Sequence, residues 1–550
     1  MVGAGLRSIV MPESIHEQTL QASLGRIAFL MCRDRNSSYY GCIDRDFWSY
    51  RTIRGFPASP YQNVMSGLAY LSEVSPFADL GRYRDNAIEV IRFWTQSLNR
   101  HGSANEWYRN EQSYCATALG LHSACEALFT LREVSSIFLN GSLVEKLRKS
   151  AEWLRNRENL LAANQRIASC ASRYVLGVLL DEKPLEHDAK KLLKSIQSDF
   201  LRDGYLSEYG GMDIGYSLLS LDLLVSAHRA GLYECEPLVN GVSRQLTQVV
   251  SQYGELPYEL GSRGTSHKFS AGVGYFADFT EQARILSDLT LASLRKQQSD
   301  ELLAYDDRFF CSFAFSAFMR SLVVSLAKKE TIRRFSVSEL PTFGNHFKVN
   351  EPTISRVTCL GGTLFANNDL GQGLVWLGPA SQRIVHLGYV FTDEETRRWT
   401  SLAHREKLSD QIVFTRASDR SPLVKFEVAV RVLFMICRIS IVARLVSWVA
   451  RTHLGRPRTK RGICLTRTVE VSTSQLVVHD LIHLSGKLSG TLRTLDTFPY
   501  HSPSMTPFQS VNSKELLFER RIEQKSGEQS VLFKWSIVRL SNGEIGVTSS

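Results

Sequence analysis

The chain has 550 residues, 43% of them hydrophobic and 22% charged. That composition excludes a disordered polymer and leaves room for two or three domains around a sizeable core. The net charge of +10 is concentrated: between residues 425 and 467 ten Lys or Arg face one acid, Glu427, so the rest is close to neutral and the excess suggests an anionic partner.

Taken in chain order, the N-terminus MVGAGLRSIVMPESIHEQ lacks the continuous apolar core of a secretory signal. No hydrophobic run is expected to reach the ~20 residues that cross a bilayer, and the protein is read as cytoplasmic. From about residue 60 to 335, apolar positions recur every three or four residues. This spacing predicts helices over 63–71, 83–98, 113–131, 142–157, 162–180, 188–200, 217–230, 239–250, 280–294 and 309–327. Paired helices of this length suggest a helical solenoid or a closed toroid, although no sequence repeat is evident. After Pro341 the pattern becomes short apolar runs between turn signals: 354–359, 362–367, 373–377, 384–389, 412–415, 469–472, 476–481, 490–495, 531–540 and 545–548. That is an all-β pattern, read as a sandwich. The expected architecture is therefore α+β and multidomain: an (α/α) toroid over 1–340, then an antiparallel β-sandwich over 341–550. A basic helical insertion interrupts the second part at about 424–453. It reads as a helix packed on the sheet, a membrane-surface helix or a basic wall for an anionic substrate.

The ten cysteines are scattered without a CxxC pair, which argues against a zinc ribbon or a disulfide framework. No cofactor is expected. The basic cluster lacks a recognised nucleic-acid module, so nucleic acid is not the expected partner.

Five segments concentrate chemistry. The aromatic and charged stretch GCIDRDFWSYRTIRGFP (41–57) reads as an arm over a cleft or a surface strap. NEWYRNEQSYCATA (105–118) gathers Glu106, Trp107, Tyr108 and Glu111 at a helix start, where aromatic faces beside hydrogen-bonding groups suit sugar rings; a capping turn with a buried Trp is the structural alternative. LAANQRIASC (161–170) sets Asn164 and Gln165 at the start of an otherwise small and apolar helix. They line a cavity or form a cap. DGYLSEYGGMDIGY (203–216) places Glu208, Tyr209, Asp213 and Tyr216 around a glycine-loosened turn. Asp213 fits an N-cap worth ~1 kcal/mol, but two tyrosines and two carboxylates exceed what a cap requires. YELGSRGTSHKFSAGVGY (258–275) reads as a loop carrying Arg263, which suits a carboxylate, and His267, which titrates near neutrality in water.

These stretches, together with GGTLFANND (361–369) and the order of helices before strands, resemble the heparinase II/III-like family. The resemblance implies a polysaccharide lyase acting by β-elimination beside a uronic acid. Asn164, assisted by Arg263, would neutralise the uronate carboxylate. Tyr216, with Tyr209 close behind, or His267 would move the proton. Glu208, Asp213, Gln165, Trp107, Tyr108 and Glu111 would line the substrate site. The chain departs from the family at Gln165, where a histidine is usual, and in lacking an export signal. No His/Asp set for the zinc of some members is found. The expected partner is an acidic polysaccharide or oligosaccharide, with peripheral membrane contact through 425–467. A glycoside hydrolase using Glu208 and Asp213 as acid and base, a uronate epimerase on the same fold, and a glycan-binding protein without catalysis are the alternatives.

Overall fold

The structure is a computed structural model. It describes residues 15–49, 55–74, 81–132, 141–209, 211–265 and 267–328; beyond these, it describes 354–359, 362–367, 374–378, 383–386, 389–394, 398–400, 412–416, 436–437, 441–443, 445–446, 459–471, 475–494, 513–515, 519–524, 528–539 and 545–549.

Twelve helices of six or more residues precede the strands among the described residues: α1 (Ile15–Leu30), α2 (Val64–Leu71), α3 (Arg82–Ser97), α4 (Tyr114–Thr130), α5 (Gly141–Arg155), α6 (Ala163–Leu180), α7 (Lys183–Asp203), α8 (Ile214–Arg229), α9 (Glu236–Gln248), α10 (Ala271–Phe276), α11 (Glu281–Glu301) and α12 (Phe315–Lys328). The even-numbered helices from α2 to α12 each pack on the next, and α12 packs back on α2. The odd-numbered helices α3, α5, α7, α9 and α11 lie against this ring, α7 on α6 and α11 on α10 for example. Their composition explains the division. All but the last few residues of α6 are buried, and α8 is buried along almost all of its length, whereas α7 buries only Ala189, Leu192, Leu193 and Ile196. A helix apolar on all sides belongs in the interior, and one with a single apolar stripe belongs outside it. Because an outer helix returns the chain between successive inner ones, the segments leading into the inner helices gather on one face of the ring.

One expectation is corrected here. The continuous helical stretch Asp307–Ala327 is long and apolar enough to cross a membrane, yet 78% of its most apolar window is buried inside the structure. Its apolarity serves the core: Phe310, Phe315 and Met319 are fully enclosed among the other helices.

From Ile354 onward the described chain forms strands in two sheets. The five-stranded sheet has the order Ser513–Glu515, Arg383–His386, Leu374–Leu377, Gly362–Asn367, Ile354–Cys359. The nine-stranded sheet has the order Glu519–Gln524, Leu488–Thr494, Tyr389–Asp393, Arg398–Thr400, Ile412–Arg416, Thr459–Val471, Gln475–Ser485, Glu528–Arg539, Ile545–Ser549. Pairing is antiparallel except that Ser513–Glu515 runs parallel to Arg383–His386, so the expectation of a purely antiparallel arrangement is corrected. Buried Arg467 and Asp480 pair across two strands at 2.5 and 2.8 Å. Phe365, Val375 and Leu377 of the smaller sheet join the helical core, so the two parts share packing. Most of the basic segment 425–467, and nearly all of the insertion at 424–453, lie outside the described residues; within the insertion, 441–443 and 445–446 are helical.

Candidate functional site: one end of the helical ring

Three of the five segments meet at the leads into α6, α8 and α10. Residues Ser207–Glu208 and Gly211–Met212 form a two-stranded hairpin just before α8. Glu208 forms a β-bridge with Ala162, and the Tyr209 N–H donates to the Leu161 carbonyl at 2.6 Å. The hairpin is thereby tied to the start of α6. The Asn164 N–H donates to Glu208 Oε1 at 2.7 Å, and Gln165 Nε2 reaches the Tyr209 hydroxyl at 3.4 Å. Asn164 and Gln165 are therefore not a cap, since the N-cap of α6 is Ala162, without a side-chain bond. They form the floor under the hairpin.

The loop over 258–270 closes from the other side. The Ser262 N–H donates to the Met212 carbonyl at 2.7 Å, and its hydroxyl donates to the Glu208 carbonyl at 2.6 Å. Asp213 caps α8, with Oδ1 accepting from the Tyr216 N–H at 2.9 Å, while Oδ2 accepts from the N–H groups of Arg263 at 3.0 Å and Thr265 at 3.4 Å. Two glycines permit this approach. A Cβ on Gly261 would stand 2.6 Å from Asp213 Oδ2, and one on Gly215 would stand 2.5 Å from the Thr265 carbonyl oxygen. The Arg263 guanidinium then lies over the Tyr209 ring, 4.6 Å from its centroid, a cation–π contact. Tyr209 holds φ 51°, a left-handed backbone that costs a bulky residue of order 1–3 kcal/mol. The expected loosening by glycine thus includes strain on a tyrosine.

Burial sets the electrostatics. It pushes the Glu208 carboxyl up to about 8 against the Asn164 bonds that favour its anion, and nearby Asp213 pushes the same way. Burial also raises the Asp213 carboxyl, against its three N–H donors. The Tyr209 phenol is pushed up to about 12 and that of Tyr216 well above its usual range, in both cases by burial, with the Arg263 charge opposing the rise. Tyr209 is 36% exposed and Tyr216 is half-buried. Three buried polar atoms here have no partner in the structure: Glu208 Oε2, Arg263 Nε and Thr265 Oγ1.

His267 is not presented to this cluster. Its ring sits edge-on among Phe269, Tyr305 and Phe309, at 4.2, 5.0 and 4.7 Å between centroids. Both ring nitrogens lack partners, and burial, with neighbouring Lys268, holds it neutral, well below the usual histidine range.

The 105–118 segment builds a second part of the same face. Glu106 pairs with Arg308 at 2.8 Å, and the Arg308 guanidinium stacks 3.9 Å over the Trp107 ring. Trp107 is 56% exposed, so the alternative of a buried indole does not hold. Glu111 Oε2 accepts from the N–H groups of Glu106 and Trp107, both at 2.7 Å, and burial then Glu106 raise its carboxyl to about 7. A cleft of about 510 Å³ opens between Tyr61, Glu106, Trp107, Asp306, Asp307 and Arg308. Cys115 stands between this cleft and the hairpin: burial raises its thiol, and Glu106, Arg308, Glu111 and Glu208 all act on it. Tyr108 lies beside them, partly buried. Asp44 of the 41–57 segment accepts from the Ala58 and Phe47 N–H groups, which makes that part of the segment a strap on the helices. The nine cysteines whose side chains are described are free thiols, and no group of three potential metal ligands occurs among the described residues.

Sequence reasoning missed a network at the centre of the ring. Arg320 of α12 donates to both oxygens of Glu126 on α4, at 2.7 and 2.6 Å, and to Asp222 of α8 at 3.1 Å. The Tyr70 hydroxyl of α2 donates to Glu126 at 3.0 Å, and the Gly272 N–H of α10 donates to Asp222 at 2.6 Å. Burial alone would raise Glu126, but the Arg320 charge overrides it and holds the carboxyl at about 2; burial lifts Asp222, which shares that cation, to about 6. The signal was available: each is a lone charge in an apolar run, in CEAL, SLDLL and FMRSL.

No protein-family profile and no curated protein matches the chain. Among solved structures it is similar to the chondroitin AC lyase of Streptomyces coelicolor A3 in complex with chondroitin sulphate, at 9% identity over 89% of this chain and 70% of that one, TM-score 0.44. It is also similar to heparinase III, at 11% identity over 100% and 92%, TM-score 0.41. A mutant of the heparan sulfate lyase HepC from Pedobacter heparinus gives 10% identity over 100% and 90%, TM-score 0.32. These neighbours are polysaccharide lyases; at such scores the likeness assigns no residue of the site.

Proposed function

We propose that the protein is a lyase-like enzyme that cleaves a uronate-containing polysaccharide or oligosaccharide by β-elimination. In this reading the helical ring is an (α/α) toroid, the sheets form a sandwich, and the end of the ring carrying the hairpin is the substrate cleft. The observation that carries the reading is the placement of a cation on a phenol: Arg263 over Tyr209, with Gln165 on its hydroxyl and Asn164 beneath.

The chemistry requires a carboxylate neutraliser and a proton carrier within one sugar ring of each other. Arg263, assisted by the Asn164 amide, binds the uronate carboxylate, which acidifies the proton on C5. Tyr209, the more open of the two tyrosines, takes that proton. The C4–O bond breaks, a C4–C5 double bond forms, and the leaving oxygen regains the proton. Only the phenolate can accept that proton and, as the phenol, return it to the leaving oxygen; burial keeps the hydroxyl protonated, so Arg263 has a second role in favouring the phenolate. Tyr216, farther in on the same cation's field, is the second candidate. Trp107, with one face covered by Arg308, presents the other to a neighbouring sugar. The hydrolytic alternative loses support, because both Asp213 oxygens are engaged by backbone N–H groups and the carboxylate acts as a cap.

Ultraviolet absorbance of the protein with a panel of uronate-containing polysaccharides tests the reading, since elimination creates an absorbing unsaturated uronate. Tyr209→Phe should lower kcat by roughly 10²-fold or more, the usual scale of general acid–base catalysis, with little loss of stability. Loss of turnover in Tyr216→Phe alone would transfer the role to Tyr216. New reducing ends without absorbance would establish hydrolysis, and binding without product would leave a glycan-binding protein.

A further inference from the structure

We propose that Arg383, on a strand of the smaller sheet, is a positioning residue for the site, holding the Arg263 loop in register through Glu259. The inference rests on the reading of that loop as part of the active site, but its structural half stands on contacts alone.

Arg383 leaves its strand and enters the helical part. Its Nη1 pairs with Glu259 at 3.0 Å, and its Nη2 donates to the Leu256 carbonyl at 2.7 Å. The two charged side chains are 19% and 25% exposed, so the pair is shielded from much of the solvent screening that weakens an open surface pair. Glu259 lies in the helical turn Tyr258–Leu260, four residues before Arg263, and Leu374–Leu377 packs directly on that turn. A second tie lies just upstream, where the Gln252 N–H donates to Thr363 Oγ1 at 3.2 Å.

The loop is thus gripped at both ends. Asp213 holds the backbone of Arg263 and Thr265 from the helical side, and Arg383 holds the preceding turn from the sheet side. Between the grips stands Gly261, pressed against Asp213 with no room for a Cβ. A shift of the turn at Glu259 therefore moves the segment that sets Arg263 over Tyr209. This gives the sheets a part in the reaction that none of their residues needs to perform by touching substrate. A displacement of about 1 Å in a positioning group costs on the order of 10²-fold in rate.

The test uses the full chain and amide hydrogen exchange of 256–265, which needs no activity. In Arg383→Ala the amides of Arg263 and Thr265 should exchange roughly tenfold faster, equivalent to about 1.4 kcal/mol, while those of α4 and α8 keep their wild-type rates. Glu259→Gln should do the same more weakly and serves as the second variant if Arg383→Ala fails to fold. The charge swap Arg383→Glu with Glu259→Arg should restore part of the protection. Unchanged exchange at 261–265 in both single variants overturns the proposal. So does acceleration that spreads equally through α4 and α8, because Arg383 would then be holding the whole fold. On any uronate oligosaccharide that wild-type protein converts, Arg383→Ala should raise KM and lower kcat, and the swap should recover both in part. If wild-type protein converts none, the catalytic reading fails while the exchange data still decide the role of Arg383.

Discussion

The centre of the helical ring and its open end hold similar residues under opposite rules. At the centre, Arg320 meets two carboxylates, Tyr70 and Gly272 complete their bonding, and the four side chains come from α2, α4, α8 and α12. At the open end, Glu208, Arg263 and Thr265 are equally enclosed in part, yet each keeps a polar atom without a partner. Buried polar groups in folded proteins are almost always satisfied, because an unmade bond costs about 1–3 kcal/mol. Unpartnered buried atoms also occur away from that end, on Gln245 and Ser243 of α9 and on both nitrogens of His267. The centre holds the ring together, and in the proposed function the open atoms beside the hairpin are the ones a substrate would meet, at a cost in stability common to functional sites.

The largest loss of stability is expected at the centre. Arg320→Ala leaves Glu126 and Asp222 facing each other in the interior without a cation. The expected loss is about 3–5 kcal/mol, the scale on which one partner of a buried ion pair is missed. Chemical denaturation measures it. A loss under about 1 kcal/mol would mean that water reaches the network, and the centre would no longer differ from the open end.

What sequence could show of this follows the same divide. The ten predicted helices all exist because recurrence of apolar positions is a local property, and α8 ends in the structure within a residue of its expected end. The six-residue α10, AGVGYF, was hidden inside a segment read as loop, since two glycines in six residues erase the pattern. Of the strands, the predicted run at 469–472 is only the end of Thr459–Val471, whose alternation is broken by TKRG. Glu208, Tyr209, Asp213, Tyr216 and Arg263 were each legible as polar residues at a turn. Their meeting with Asn164 was not, because the bridge from Ala162 to Glu208 joins positions far apart in the chain. His267 shows the converse error. Its neighbours in sequence are polar, but Phe269, Tyr305 and Phe309 enclose it in space.

At the open end, Glu208 makes stability depend on pH. Its folded carboxyl is raised to about 8, above the ordinary value near 4.5 that the unfolded chain retains. Between those values the folded state holds a proton that the unfolded state releases, so stability falls as pH rises from about 4.5 to 8 and levels off beyond. Glu208→Gln mimics the protonated acid and removes that slope. The variant should match wild type at pH 4 and exceed it by up to about 5 kcal/mol at pH 9, as followed by urea unfolding across the range. A variant less stable than wild type at pH 9 would show that the carboxylate is satisfied when ionised, and the open end would then be a structural network like the centre.

The smallest expected effect falls on Thr265, whose hydroxyl is buried at the open end without a partner while its backbone N–H serves Asp213. Thr265→Val keeps the shape, including the methyl that packs against Gly215, and exchanges the hydroxyl for a second methyl. Removing a buried group that bonds nothing is neutral or stabilising, so a gain of up to about 1 kcal/mol is expected in thermal or urea unfolding. The same variant should bind an acidic oligosaccharide more weakly if the hydroxyl is kept for the ligand. Gain in stability with loss of binding would assign Thr265 to the site. Gain without loss would make it an uncompensated defect of the loop. Loss of stability would mean the hydroxyl has a partner in solution, and that the contrast between centre and open end is narrower than the bonding pattern implies.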